Sequence, residues 1–325
     1  MNNPAHDSLF NDSEIWVVAA CFNEEEIITA FLERLSELPN ISRLVLVDDG
    51  SSDHTVSKIR AWSEDLSNQK SLLNITLLEL TRNFGKEAAM LAGLDYAQGK
   101  CDAVVLIDSD LQHPPELIPK MIQEWRNGAE IVTAVRNDRD KESRFKVTTA
   151  TWFYKVFNKV VNSIQLREGA GDYRLLSAPV VNALTQMREF SRFSKGLVPW
   201  TGYKSCELGY QRVPRTRGTS SWSLLKLWNY ALDGIFSFSV VPLKVWSFIG
   251  LTVSVFSLIY AVWIIFNTAV NGVGVPGYPS LIVAVLFLGG IQLIGIGVLG
   301  DYIGRIYVDA KARPHYFVRS VYESK

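Results

Sequence analysis

Between Lys244 and Asp301 the chain carries no Asp, Glu, Lys, Arg or His. A helix needs about 20 apolar residues to cross the hydrocarbon core of a bilayer, so this run is long enough for two. Its turn-forming residues, Gly272, Gly274, Pro276, Gly277 and Pro279, cluster in one place and separate a first span at 241–266 from a second at 280–303. Basic residues flank the run on both sides: Arg212, Arg215, Arg217, Lys226 and Lys244 before it, and Arg305, Lys311, Arg313 and Arg319 after it. The loop between the spans has none, which places both termini in the cytoplasm of a multi-pass protein. Residues 1–12 are polar and lack the apolar core of a cleavable signal, so the first span is expected to direct insertion. Gly289, Gly290, Gly295, Gly297 and Gly300 line the second span. Small residues let membrane helices approach closely, so copies could associate as a homo-oligomer there.

Outside that run the sequence is charged and globular. The whole chain balances 33 basic against 33 acidic residues, which argues against nucleic acid as a partner because a binder shows a basic surplus. Cys21, Cys101 and Cys206 are odd in number and have no metal-ligand spacing. They read as free thiols in a reducing compartment.

Short β-rich runs alternate with helical segments: strands at Glu14–Cys21, Leu44–Val47, Ile75–Leu80, Ala103–Ile107 and Ile131–Val135, with a helix at Lys86–Ala97. That alternation predicts an α/β domain with a Rossmann-like, mostly parallel sheet. Polar clusters follow the strands, and in such sheets ligands bind at the carboxyl ends. Ser51, Ser52 and Asp53 are candidate caps for the second helix. The apolar residues of Thr148–Ile164 recur at helical spacing and fit either a helix packed on the sheet or one lying on the membrane. Ser221–Phe238, with Trp222, Leu225, Trp228 and Leu232, reads as an interfacial amphipathic helix. The organisation is then a polar tail at 1–12, a catalytic domain at 13–215, an interfacial region at 216–239, two transmembrane helices within 240–304 and a cytoplasmic tail at 305–325.

Asp108-Ser109-Asp110 ends the fourth strand, with Gln112 two residues on. Two carboxylates on one turn can hold a hard divalent cation, which keeps positions open for substrate phosphate oxygens. Asp48-Asp49-Gly50 ends the second strand, where a carboxylate can accept hydrogen bonds from a base or ribose. Acids delivered to one rim by the first, second and fourth strands point to a nucleotide diphosphate with a metal. Neither a Gly-x-x-x-x-Gly-Lys-Ser/Thr loop nor a Gly-x-Gly-x-x-Gly turn is present, so Walker-type and dinucleotide chemistry find no support.

These residues resemble glycosyltransferase family 2, in particular enzymes that load sugars onto polyprenyl phosphate. The likeness runs through Ala20-Cys21-Phe22-Asn23-Glu24, Val47-Asp48-Asp49-Gly50-Ser51-Ser52-Asp53, Thr81-Arg82-Asn83-Phe84-Gly85-Lys86-Glu87, Asp108-Ser109-Asp110-Leu111-Gln112-His113-Pro114-Pro115, Gly171-Asp172-Tyr173-Arg174-Leu175, Gly277-Tyr278-Pro279-Ser280 and Gly300-Asp301-Tyr302-Ile303-Gly304-Arg305. The last two blocks and the Arg-Asn-Phe-Gly-Lys-Glu segment look most like the bactoprenol glucosyltransferases of O-antigen modification; dolichyl-phosphate mannose synthases are related.

The resemblance implies a GT-A fold and inverting transfer of glucose from UDP-glucose to undecaprenyl phosphate at the bacterial inner membrane. It leaves mannose, N-acetylglucosamine and aminoarabinose as alternative sugars, and a non-catalytic subunit of a lipid-flipping system as a rival from another class. It implies that Asp108, Asp110 and Gln112 hold Mg²⁺ or Mn²⁺. Ala20, Phe22, Glu24, Asp48, Asp49, Lys86 and Ser109 would meet the nucleotide. Arg136, Arg144, Arg215 and Ser220 would hold the acceptor phosphate, the two first-named arginines beside the reaction centre. Asp172 would either orient the sugar or an arginine, or pair structurally with Arg174. Two departures stand out: Ala20 replaces a usual Pro, and Ser221 a common Lys, whose cationic contact Arg217 or Lys226 would have to supply.

Overall fold

The computed structural model describes residues 13–68, 73–137, 151, 155, 157–161, 164–167, 169–211, 234, 236–271 and 277–324. The chain falls into two compact units, residues 1–231 with 313–325, and residues 232–312.

In the first unit the elements run β1 (Ile15–Cys21), α1 (Ile28–Ser36), β2 (Arg43–Asp48), α2 (Thr55–Asn68), β3 (Asn74–Leu80), α3 (Lys86–Ala97), β4 (Ala103–Asp108), α4 (Ile118–Arg126), β5 (Ile131–Arg136), β6 (Ala170–Ser177), α5 (Ala178–Gln186), α6 (Ser194–Trp200) and β7 (Ser205–Tyr210). After the second unit's helices α7 (Val241–Asn271) and α8 (Tyr278–Ala310), the chain returns as β8 (Val318–Glu323). The eight strands form one mixed sheet in the order β7-β5-β6-β4-β1-β2-β3-β8.

β1 pairs in parallel with both β2 and β4, and β2 with β3. These strands are covered on both faces, which is why they read as continuous apolar runs rather than alternating ones. Alternation in space still sorts them. Ile15, Val17, Ala19 and Cys21 join a core with Phe31, Leu32, Ile59 and Met121 on one face. On the other face lies α3, in which Ala88, Ala89, Met90, Leu91, Ala92, Gly93, Leu94 and Ala97 are all buried. A Cβ on Gly93 would stand 2.3 Å from Val18 Cγ1, so the bare glycine is what lets α3 seat on the sheet.

Two strands change the plain alternating picture. β6 inserts between β4 and β5, antiparallel to both. β8 adds to β3 antiparallel, so the segment read as a C-terminal tail is an edge strand of the catalytic sheet. It is fastened beyond its ladder: Thr81 N–H donates to Phe317 O (2.9 Å), Arg319 to Thr81 O (2.9 Å), and Tyr316 Oη to Asp95 (2.7 Å). Phe157 and Val161 are buried, with Phe157 against Phe193. These two side chains of that segment therefore pack inward, while Trp152, Phe153 and Val156 lie outside the described residues.

In the second unit α7 and α8 are both long and apolar enough to cross a membrane. They begin with the expected spans and run beyond them. Large side chains such as Phe248, Phe256, Leu258 and Leu293 are exposed along them, the surface a hydrocarbon solvent favours. Gly295 faces Trp246, whose Cε3 would lie 3.7 Å from an added Cβ; Gly289, Gly290, Gly297 and Gly300 meet nothing within 4 Å among the described residues. Tyr302 Oη donates to Ser239 O (2.7 Å) and its ring meets Phe236 edge-on, tying the end of α8 to the residues before α7. Most of Ser221–Phe238 lies outside the described residues.

Candidate active site

The register fixes which side chains share a rim. Ala20 stands beside Asp108 on β4 and beside Val47 on β2, and Cys21 beside Asp48. β6 runs antiparallel with Leu106 opposite Arg174; two residues further along the same register bring Asp172 next to Asp108. Arg136 closes β5 on this rim, its N–H bonded to Gly169 O at 3.1 Å.

The loops above the rim are laced together. Asn23 Oδ1 accepts from Ser52 N–H (2.9 Å), and Ser51 Oγ from Asn23 N–H (2.9 Å). Thr55 Oγ1 accepts from Glu24 N–H (2.9 Å), and Asp53 from both Glu25 and Thr55 N–H. The Ser-Ser-Asp segment therefore braces two loops as well as starting α2. Ser109 Oγ donates to Ala20 O (3.0 Å), a latch between strand ends, while Phe22 is exposed.

The paired acids of β2 do different things. Asp48 Oδ2 accepts from Gly50 and Ser51 N–H at 3.2 and 3.0 Å; its Oδ1 is buried with no hydrogen-bond partner among the described residues. Asp49 accepts Phe84 N–H (2.7 Å) on one oxygen and Gly85 N–H (2.9 Å) on the other. It thereby clamps the loop that leads into Lys86. Gly50, at φ +75°, lies so close under that loop that a Cβ would be 2.6 Å from Arg82 C. Burial pushes both carboxyls above the ordinary range, against the pull of those amides.

At the centre, Lys86 Nζ lies 2.6 Å from Asp108 Oδ1 and 2.9 Å from Asp172 Oδ2. Burial alone would lower this ammonium, but Asp108 and Asp172 outweigh it and hold it above the ordinary lysine value. Burial would raise Asp108, yet His113 and Lys86 hold it well below the carboxylate range. Asp172 is likewise held down, by Lys86 and Lys195 against burial.

Asp110 Oδ1 accepts from Gln112 N–H (3.1 Å), across Leu111 in the left-handed region at φ 56°. Among the described residues the buried Gln112 Nε2 has no hydrogen-bond partner, and neither has Asp172 Oδ1. Native proteins rarely leave buried polar atoms unsatisfied, and among the described residues three atoms without a hydrogen-bond partner, on Asp48, Gln112 and Asp172, share one rim. Among the described residues no group of three or more His, Cys, Asp or Glu gathers as a self-sufficient metal site.

Two contributors went unnamed as site residues. His113 presents Nε2 to Asp108 Oδ2 at 3.5 Å while its Nδ1 meets Tyr210 Oη at 2.9 Å, so it sets the carboxylate's orientation; its only sequence signal is its place after Gln112. Glu87 accepts from Ser194 Oγ and joins α3 to α6 beside Asp172, a contact no local pattern announces. Arg144, Arg215 and Ser220 lie outside the described residues.

A mixed GT-A sheet with an acidic rim of this kind defines a sugar-transferring class, and the comparisons agree. The profile described as Glycosyl transferase family 2 matches residues 16–184, and that described as GtrB C-terminal hairpin matches residues 241–306. The chain belongs to glycosyl transferase family 2 and is a glycosyltransferase. It is 46% identical to a bactoprenol glucosyl transferase of Shigella phage SfV, covering 94% of this chain and 98% of that one. It is 46% identical to a prophage bactoprenol glucosyl transferase homolog of Escherichia coli (strain K12), covering 95% and 99%. An uncharacterized glycosyltransferase of Synechocystis sp. is 45% identical over 95% of this chain and 96% of its own. Among solved structures, glucosyl-3-phosphoglycerate synthase of Mycobacterium tuberculosis, in complex with Mn²⁺, UDP-glucose and phosphoglyceric acid, matches with TM-score 0.47 and 19% identity, covering 72% and 81%.

Proposed function

We propose that the protein transfers glucose from UDP-glucose to undecaprenyl phosphate, with inversion, at the cytoplasmic face of a bacterial inner membrane. The observation that carries this is the conjunction of an acidic strand-end rim holding three unsatisfied polar atoms with two membrane-length helices in a chain similar throughout to bactoprenol glucosyl transferases.

Asp108, Asp110 and Gln112 supply hard oxygen donors too few to enclose an ion, which fits Mg²⁺ or Mn²⁺ shared with substrate phosphates. When bound, the ion would neutralise charge on the departing nucleotide diphosphate. Ala20, Phe22, Glu24, Asp48 and Ser109 border the nucleotide; Asp48 Oδ1 is the open acceptor for it. Asp49 acts on the same ligand through the loop it clamps. Arg136, with Arg144, Arg215 and Ser220, holds the acceptor phosphate, a geometry guanidinium forks suit. Asp172 positions Lys86.

The acceptor is a phosphate monoester with a second pKa near 6, so it is its own anionic nucleophile and needs no protein base. β8 pairs with β3, so the chain before α7 and the chain after α8 belong to one folded unit. That requires an even number of crossings, so the domain and β8 lie on the same side of the membrane; the basic flanks of the apolar run favour the cytoplasmic side. Anchoring then raises the effective concentration of a lipid that cannot leave the bilayer.

The test uses membranes containing the protein, radiolabelled UDP-glucose and undecaprenyl phosphate. Label should enter the organic phase with Mg²⁺ or Mn²⁺ and fall to background with EDTA. Label arriving only from another nucleotide sugar would change the donor; none from any of them would sink the reading.

The pH dependence follows from the same residues. Asp108 and Asp172 lie below their ordinary 3.8, so their pairing contributes fully above that value and is lost only as pH falls through the depressed folded values. Lys86 lies above 10.5, so its contribution is complete below that and is lost only as pH rises through the raised value. The triad therefore stays ionised from about pH 5 to 9. The rate should instead fall about tenfold per unit below pH 6, following the acceptor. A lipid phosphonate acceptor, with its higher second pKa, should carry this limb upward; a limb that stays put belongs to the protein.

A further inference from the structure

We propose that Lys86 is the resting counter-ion of the acidic rim: its ammonium holds Asp108 while no divalent cation is bound, and yields Asp108 when one binds. The inference rests on reading Asp108 and Asp110 as the cation's carboxylates.

Asp108 already has both oxygens engaged within the protein. Oδ1 is 2.6 Å from the Lys86 ammonium and Oδ2 faces His113 Nε2 at 3.5 Å. A divalent cation at a carboxylate oxygen, about 2.1 Å away, would sit within a few ångströms of that ammonium. Like charges so close repel by several kcal/mol even at an effective dielectric constant of about 20. The two cations therefore compete for Asp108.

Charge and geometry both make an exchange easy. At rest, Asp108 and Asp172 share the ammonium of Lys86, with Lys195 also acting on Asp172. With a divalent cation on Asp108 and Asp110, two charges meet two, and Lys86 is left one-to-one with Asp172, from which it is only 2.9 Å away. It need not lose its partner to let the other go. Its side chain is half-exposed on a flexible four-carbon stem, while its backbone is fixed by Asp49 through the Gly85 N–H. Freed of Asp108, the ammonium is available to the anionic diphosphate. Cation and nucleotide should then favour each other's binding, by the same factor in each direction.

Mn²⁺ binding to the purified full-length chain, read by electron paramagnetic resonance of free Mn²⁺ without nucleotide, tests this independently of turnover. Lys86→Met and Lys86→Gln should bind Mn²⁺ about tenfold or more tightly than wild type, and UDP should improve Mn²⁺ binding less in them than in wild type. Lys86→Arg, which keeps the charge, should stay within about threefold of wild type. Thermal unfolding of each variant confirms that folded protein is compared. Mn²⁺ affinity in the Met and Gln variants equal to or weaker than wild type would overturn the proposal. Asp110→Asn separates this from the underlying reading: it should lose Mn²⁺ binding, and if it does not, the cation site itself is misplaced.

Discussion

Asp110→Asn should remove lipid-phase sugar transfer by about 10³-fold or more while leaving the fold intact. The size follows from losing several kcal/mol of leaving-group stabilisation at 1.36 kcal/mol per decade. The fold should survive because Asp110 accepts Gln112 N–H at 3.1 Å, and an asparagine carbonyl of the same shape can accept that bond. Asp108 offers no such clean substitution: it holds Lys86 and faces His113, so Asp108→Asn would disturb both contacts along with any cation site. The measurement is organic-phase label from UDP-glucose, set beside the thermal midpoint of the same preparation. Turnover within tenfold of wild type at an unchanged midpoint would remove Asp110 from the chemistry.

What could be read in the sequence was set by burial. β1 to β5 announce themselves because strands covered on both faces are runs of Val, Ile, Leu and Ala, and a strand end is where a run meets an acid. The two long apolar helices were legible for the same reason, by an absence of charge. β7 and β8 carry little such signal. In β8 Val318, Arg319, Val321 and Glu323 are exposed, the habit of an edge strand, and so the stretch passes for a tail. The antiparallel insertion of β6 is a non-local fact, and it decides who meets whom. Asp172 stood in the sequence next to Arg174 as a candidate partner; its placement opposite Asp108 gives it to Lys86, far away along the chain. The acids of the rim could be found from strand ends alone, whereas Lys86 was legible only through resemblance, and its actual task, bridging two of those acids, only in three dimensions.

Asp49 is where a motif reading and the geometry part, and a substitution there should tell them apart. Both of its oxygens are taken by backbone N–H groups, Phe84 at 2.7 Å and Gly85 at 2.9 Å, and the side chain is buried. Asp49→Ala strands two buried donors at roughly 1–3 kcal/mol each, so folding should lose about 2–5 kcal/mol. Asp49→Asn keeps an acceptor for one amide and turns an NH₂ toward the other, so it should fall between Ala and wild type. Because Gly85 is the residue before Lys86, the loosened loop releases the lysine that ties α3 to Asp108 and Asp172. Transfer should therefore fall together with stability, in the order wild type, Asn, Ala. Urea midpoints measured beside UDP affinity make the decision. If Asp49→Asn keeps the wild-type midpoint and loses UDP binding, Asp49 is a direct nucleotide ligand and the clamp is incidental. A lowered midpoint with a graded loss of transfer makes it the residue through which the β2 strand end holds the active-site lysine in place.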